Sequence, residues 1–339
     1  MPEVVKTRPE MQEARMMKAI VQDKYGPPAV LRLDDRPIPA PRDDEVLVKV
    51  FAASVNAADW HLMRGTPLLI RLMLGGLRRP AHKGLGVDVA GRVEAVGTDV
   101  ERFQPGDEVY GDLSEHGFGG FAEYACVSED AFGPKPASLS FEDAAAVPVA
   151  GVTALQALRD EGEIQSGQQV LVNGASGGVG SFAVQIAKAL GATVTGVCST
   201  DKMAFVHSLG ADAIIDYTQT DVTKQDQRYD LVLDAAAYRS PLRYLRILRS
   251  TGAYVLVGGA TSRLFQTLLV APVVSMIGEK SLNTVMAKPN PEDLATLTEL
   301  IEEGRIVPAI DRRFPLSEVP AAIRYLEDGR PQGKVVITV

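Results

Sequence analysis

The chain has 339 residues, a formal charge of −8, 46% hydrophobic and 23% charged residues. That length suits two domains of ordinary globular composition. The negative balance argues against a nucleic-acid backbone or an anionic membrane as main partner. Two cysteines, Cys126 and Cys198, are too few for a disulfide framework and suit a reducing, cytoplasmic compartment. The first sixteen residues lack an apolar core of signal-peptide length, so a polar extension is expected, with the fold starting near Met17. The longest apolar run, Leu264–Ile277, carries Gln266 and Pro272 and is too short to span a bilayer.

Met17–Val21 and Leu31–Leu33 read as short strands around the Gly26-Pro27-Pro28 turn. Pro37, Pro39 and Pro41 forbid regular structure until alternation resumes over Glu45–Ala53. Asn56–Arg64 reads as a short helix or turn, and the apolar, arginine-bearing Thr66–Pro80 as a flap beside a pocket. Val87–Val96, Glu108–Tyr110 and Phe121–Val127 are further strands, broken by F-Q-P-G-D. Many short strands with Gly/Pro turns suggest a compact β-barrel up to about Pro136.

The period then changes. A helix begins at Phe141, is interrupted or restarted at Pro148 and continues over Gly151–Arg159. From Gln168 strands and helices alternate. The strands are Gln169–Asn173, Thr193–Cys198, Ala213–Ile215, Leu231–Leu233, Tyr254–Val257 and Ser281–Val285. The helices are Ser181–Leu190, Lys202–Leu209, Pro241–Leu248 and Pro291–Glu303. This order predicts a doubly wound parallel sheet with right-handed crossovers. After a helix at Glu318–Asp328, the final strand from Lys334 to Val339 most simply returns to the first domain.

The strand V-L-V ending at Val172 runs into Asn173-Gly174-Ala175-Ser176-Gly177-Gly178-Val179-Gly180 and then into a helix. That strand–glycine turn–helix unit fits a dinucleotide pyrophosphate, since glycines allow close backbone approach and the helix start favours an anion. The spacing is G-x-x-G-x-x-G, with a tight helix–strand crossover as the alternative; its place between a clear strand and a clear helix favours the cofactor. At the tip of the second strand, Ser199-Thr200-Asp201-Lys202 offers hydroxyls and an ammonium to a ribose 2′-phosphate, which favours NADP. The alternative has Ser199 capping the next helix and Lys202 as a solvated charge. Tyr217 follows the third strand and lies against either the adenine or the core.

Two cysteines and four histidines, His61, His82, His116 and His207, form no zinc-binding spacing, so no metal is expected.

Taken together, S-V-N-A-A-D-W at Ser54–Trp60, G-V-D-V-A-G-R-V-E-A-V-G at Gly86–Gly97, F-Q-P-G-D-E-V-Y-G at Phe103–Gly111, G-G-F-A-E-Y at Gly119–Tyr124, the glycine turn and the closing G-K-V-V-I carry a resemblance. The chain resembles the medium-chain dehydrogenase/reductase superfamily, in its zinc-free quinone-oxidoreductase (zeta-crystallin-like) branch. Zinc-dependent relatives carry a cysteine where Asn56 stands and a His-Glu pair where Val87 and Asp88 stand. The resemblance implies an α/β chain with a GroES-like β-barrel catalytic domain (17–143 and 286–339) and a Rossmann NADP-binding domain (144–285). It places NADPH in the cleft, with phosphate contacts at Ser199 and Lys202, adenosine at Tyr217, and nicotinamide contacts at Asn56, Thr153 and Gly258-Gly259. Lys334 stands where the closing segment reaches the cofactor. A homodimer is implied, through the edge of the parallel sheet.

The expected chemistry is hydride delivery from NADPH to a quinone or an α,β-unsaturated carbonyl, with the developing oxyanion stabilised by hydrogen-bond donors. Asn56 is the first candidate donor, set against a role as a structural turn amide. The rivals are a zinc-free alcohol dehydrogenase, an enoyl-thioester reductase and a non-catalytic NADPH-binding sensor or scaffold.

Overall fold

The computed structural model describes residues 15–73 and 76–339, so most of the expected polar extension lies outside the described residues. The first strand, β1 (Met16–Val21), pairs antiparallel with β2 (Arg32–Pro37). The long β3 (Glu45–Val55) is buried along most of its length. It feeds α1 (Ala57–Arg64) and α2 (Leu68–Met73), then β4 (Asp88–Val96), β5 (Glu108–Asp112), β6 (Tyr124–Ser128) and β7 (Phe132–Pro134). Helix α1 is closed at its start by a reciprocal cap in which the Asp59 carboxylate accepts from the Asn56 N–H at 2.7 Å.

The chain then enters α3 (Phe141–Ala145) and α4 (Pro148–Arg159). Pro148 restarts the helix rather than kinking it, because a proline at the first helical position forfeits no hydrogen bond. The alternating half follows as β8 (Gln169–Asn173), α5 (Gly178–Ala189), β9 (Thr193–Cys198), α6 (Met203–Ser208), β10 (Ala213–Asp216) and β11 (Tyr229–Asp234). After these come α7 (Pro241–Tyr244), β12 (Leu248–Leu256), α8 (Thr261–Ile277) and β13 (Ser281–Thr284). The chain closes with α9 (Pro291–Glu302), β14 (Ile310–Pro315), α10 (Val319–Glu327) and β15 (Lys334–Thr338).

The six strands of the second half are all parallel, in the order β10-β9-β8-β11-β12-β13. Counted from β8 this is 3-2-1-4-5-6, the doubly wound order in which the sheet reverses direction between its first and fourth strands. The other sheet runs β14-β15-β3-β4-β5-β7, with β6 on β3. Strand β15 pairs antiparallel with β3, Val336 opposite Ser54, so the chain end does return to the first domain. Its Val335 and Ile337 sit in one apolar core with Val48, Val50 and Val89. A second core joins α4 and α5 to the parallel sheet and takes in Leu294 and Leu297 of α9. Strand β14 was not expected, since I-D-R-R-F-P has no apolar alternation; it is an edge strand held by β15 alone.

Candidate active site

The parallel sheet reverses between β8 and β11, and the ends of those strands are stitched together. Asn173 lies opposite Asp234 and its Nδ2 donates to the Asp234 carboxylate at 2.7 Å, while the Tyr254 hydroxyl donates to the other oxygen at 2.8 Å. Burial pushes the Asp234 carboxyl up to about 6. Beyond Asn173 the backbone turns at Gly174, with φ +78°, in the left-handed region that favours glycine. A Cβ on Gly180 would sit 2.1 Å from the Gly174 carbonyl oxygen, so the helix can pack this closely on the turn only with glycine there. The first N–H groups of α5 therefore face the crevice at the switch point.

That crevice is a cavity of about 530 Å³. Of the residues expected to hold the cofactor, Gly174, Ser176, Gly177 and Gly178 line it from the turn, and Ser199, Lys202 and Tyr217 from the tips of β9 and β10. Ser199 Oγ donates to Asp201 Oδ1 at 2.5 Å and does not cap the next helix. Lys202 is no solvated charge. Its ammonium donates to the carbonyls of Gly329 and Pro331, at 2.9 and 3.0 Å, fixing it where β9 meets the segment leading to β15. Tyr217 is half exposed at the rim.

The other expected contacts lie off this cavity. Ala175 is buried and Val179 packs on the core. Thr200 turns away, its hydroxyl bonded to Asp216 and Thr218. Thr153 is buried one turn along α4 from Val149. Gly258 accepts from the Ala237 N–H at 2.8 Å, so the Gly258-Gly259 turn flanks the end of β11. Val197, Cys198, Tyr238, Arg239 and Leu326 also line the cavity and were not anticipated. Cys198 was given no part in the site, and its buried thiol is pushed up to about 11 by burial.

A second polar cluster lies where the C-terminal strand crosses between the halves. The buried Asp88 carboxylate takes four hydrogen bonds. One oxygen accepts from the Val149 N–H at 2.8 Å, a free donor of the first turn of α4. The other accepts from Ser54 Oγ at 2.6 Å, Asn56 Nδ2 at 2.8 Å and Lys334 Nζ at 3.1 Å. Lys334, only 3% exposed, also donates to Asn56 Oδ1 at 2.6 Å. Its methylene stem runs past Gly178, where an added Cβ would meet Lys334 Cδ at 3.0 Å. The preceding Gly333 N–H donates to the Ser176 carbonyl at 2.9 Å. One side chain thus spans the start of α5 and a buried carboxylate of the barrel. Both amide hydrogens of Asn56 point at protein acceptors, Asp88 and, at 3.4 Å, the Ser54 carbonyl.

The position that carries zinc in metal-dependent relatives does not fit a zinc ion. It offers an amide at Asn56, an aliphatic chain at Val87, and an Asp88 already paired with an ammonium. Among the described residues, no three His, Cys, Asp or Glu side chains converge as a ligand set. Two further carboxylates flank the cluster. Asp59 and Asp112 are both pushed up to about 7, chiefly by burial, with the negative charge of Asp88 adding to it.

The fold defines a two-domain oxidoreductase with a crevice at the switch point of its parallel sheet. Comparison with known proteins agrees. Residues 42–137 match the family described as alcohol dehydrogenase GroES-like domain, and residues 209–337 the one described as zinc-binding dehydrogenase. The chain is 36% identical to 2-methylene-furan-3-one reductase of Solanum lycopersicum, over 95% of this chain and 79% of that protein. It is 35% identical to the quinone oxidoreductase of Coxiella burnetii, with a TM-score of 0.86 over 96% of this chain and all (100%) of that one. The Escherichia coli quinone oxidoreductase complexed with NADPH superposes with a TM-score of 0.82 at 26% identity, over 95% and 100% of the two chains. The chain belongs to the medium-chain dehydrogenase/reductase superfamily, in its zinc-free quinone-oxidoreductase branch.

Proposed function

We propose that the protein is a zinc-independent, NADPH-dependent reductase of quinones or α,β-unsaturated carbonyls. The observation that carries this reading is the pairing of a phosphate-facing glycine turn with an ammonium, Lys334, at the place where relatives hold zinc. The turn and the start of α5 would hold the pyrophosphate, with Ser199 and Lys202 at the 2′-phosphate and Tyr217 beside the adenosine. When bound, NADPH supplies a hydride from its nicotinamide C4 and leaves as NADP⁺.

Asn56 and Asp88 together occupy two of the three Lys334 donors, which aims the ammonium and leaves one N–H for a phosphate or ribose oxygen. Because the Asn56 amide is already spent on Asp88 and Ser54, the reading gives Asn56 the task of positioning Lys334. Thr153 and the Gly258-Gly259 turn would border the nicotinamide end. The hydride would suit an electron-poor carbon of the acceptor, with water as the source of the proton that completes the reduction. Alcohol oxidation ranks behind this, since the site offers no Lewis acid to a hydroxyl oxygen.

We place the boundary between the catalytic and cofactor-binding domains at the start of α4 and again after β13. The apolar outer face of α8 and the open edge at β13 support a homodimer. No helix among the described residues is long and apolar enough to cross a membrane. The free thiols of Cys126 and Cys198 suit a reducing, cytoplasmic setting.

The test is NADPH oxidation on addition of a quinone and enone panel, run beside NADP⁺ reduction with primary and secondary alcohols. Turnover with the first panel alone is expected. Alcohol oxidation alone would replace the reading with a dehydrogenase. Tight NADPH binding with no turnover in either direction would make the protein a sensor or scaffold.

A further inference from the structure

The segment that follows α1 is built inside out for a surface exposed to water. Helix α2 turns its arginine inward. The Arg71 guanidinium lies 4.4 Å from the centre of the Tyr25 ring, and its Nε donates to the Gly65 carbonyl at 2.8 Å. The leucines face out instead. Leu68, Leu69 and Leu72 are 61%, 50% and 57% exposed, and Leu77 in the following turn is 55% exposed. Positions 68, 69 and 72 share one helical face, so this is a patch and not scattered apolar surface. Beside it, Arg78 and Arg79 are exposed and make no side-chain hydrogen bond or ion pair with another described residue.

The charge around this patch departs from that of the whole molecule. From Trp60 to Val87 there are five Lys and Arg and no Asp or Glu, in a chain whose formal charge is −8; Arg64 is paired with Glu327 and Lys83 with Asp23, which leaves Arg78 and Arg79 as the exposed cations beside the leucines. Apart from Asp23 and Glu327, which neutralise Lys83 and Arg64, the acidic remainder acts weakly on exposed charges beyond about 8 Å at physiological ionic strength. An apolar face rimmed by unpaired arginines is the pattern of a segment lying in a membrane interface. A second copy of the chain is a poor occupant, since a two-fold contact would bring two arginine-rimmed patches of the same sign together.

We propose that the Leu68, Leu69 and Leu72 face of α2, with Leu77, docks reversibly on an anionic phospholipid surface. The leucines enter the acyl boundary, and Arg78 and Arg79 meet the headgroup phosphates. Helix α1, capped by the site residue Asn56, is eight residues or about 12 Å long and ends at Arg64, shortly before the patch begins at Leu68. Docking therefore holds the cleft close to the bilayer without inserting a spanning helix.

The test is flotation of the full chain with phosphatidylcholine vesicles, alone or with about one-third phosphatidylglycerol. Binding to the anionic vesicles that weakens as salt is raised is expected, with little binding to phosphatidylcholine alone. Arg78→Ala with Arg79→Ala should lower partitioning about thirty-fold, at about five-fold per surface cation. Leu69→Ser with Leu72→Ser should abolish it. Both variants should keep the NADPH affinity of the parent, which shows that they fold. Failure of the parent chain to float, or equal flotation of parent and both variants, would overturn the proposal. So would a drop in molecular mass for Leu69→Ser with Leu72→Ser in the absence of vesicles, which would assign the patch to self-association.

Discussion

Lys334 is the residue on which the two halves of the site depend, and its partner sets the cost of losing it. Lys334→Ala would leave the Asp88 carboxylate buried without a counter-charge, which costs about 3–5 kcal/mol. Urea unfolding should show that loss, and the double variant with Asp88→Asn should recover most of it. The KM for NADPH should stay high in both, because the ammonium is gone. Lys202→Ala should reduce the preference for NADPH over NADH by about ten- to a hundredfold, the worth of a hydrogen bond to a charged group. The ratio of kcat/KM for the two cofactors measures it. Asp112 tests the electrostatics of the cluster. Its carboxyl is raised to about 7, so between pH 4 and 7 the folded state holds a proton that the unfolded chain releases. Stability therefore falls as pH rises through that window. Asp112→Asn should flatten the fall in a series of thermal melts, whereas identical pH profiles would exclude the residue as its source. Lys334 and Asn56 were legible in the sequence through the family pattern. Their connection was not, since it needs Ser54 opposite Asp88 across β3 and β4 and the Val149 N–H aimed from α4. Asp88 stood in the sequence only as the site of a missing metal ligand.

At the level of elements, the glycine turn was the most legible feature because its chemistry is local. Strand, turn and helix follow within one stretch, and only the close approach of Gly180 to Gly174 had to be learned from the coordinates. Gly180→Ala should push α5 off the turn, costing about 1–3 kcal/mol through overpacking and abolishing NADPH binding by fluorescence titration. Parent-like affinity would mean that the helix start does not receive the cofactor. Elements whose identity depends on distant partners were read less well. The β14 strand carries charges on an exposed edge and exists because β15 pairs with it. The expected helix at Pro241–Leu248 is only one turn long, because Leu248 is already the first residue of β12. The Lys202 side chain lines the cavity, yet its grip on the Gly329 and Pro331 carbonyls joins residues far apart in the chain, beyond any local pattern.

Across the whole molecule, the closing segment makes one unit of two domains. It leaves α10, passes the Lys202 end of the cavity at Gly329 and Pro331, binds the glycine turn at Gly333 and ends as a strand of the barrel. The outer face of α8 completes the picture with Leu269, Met276 and Ile277 exposed beside the unpaired β13 edge. Light scattering should give a dimer that Leu269→Asp shifts toward monomer, and a monomeric parent would remove the homodimer from the account. The claim that organises the rest is that an ammonium held by Asp88 stands where relatives place zinc and that reduction proceeds without a metal. Its most direct test is turnover of NADPH with an enone after exhaustive chelation, with metal content measured on the same sample. The account predicts full turnover at far below one metal per chain; loss of activity on chelation, restored by added zinc, would contradict it.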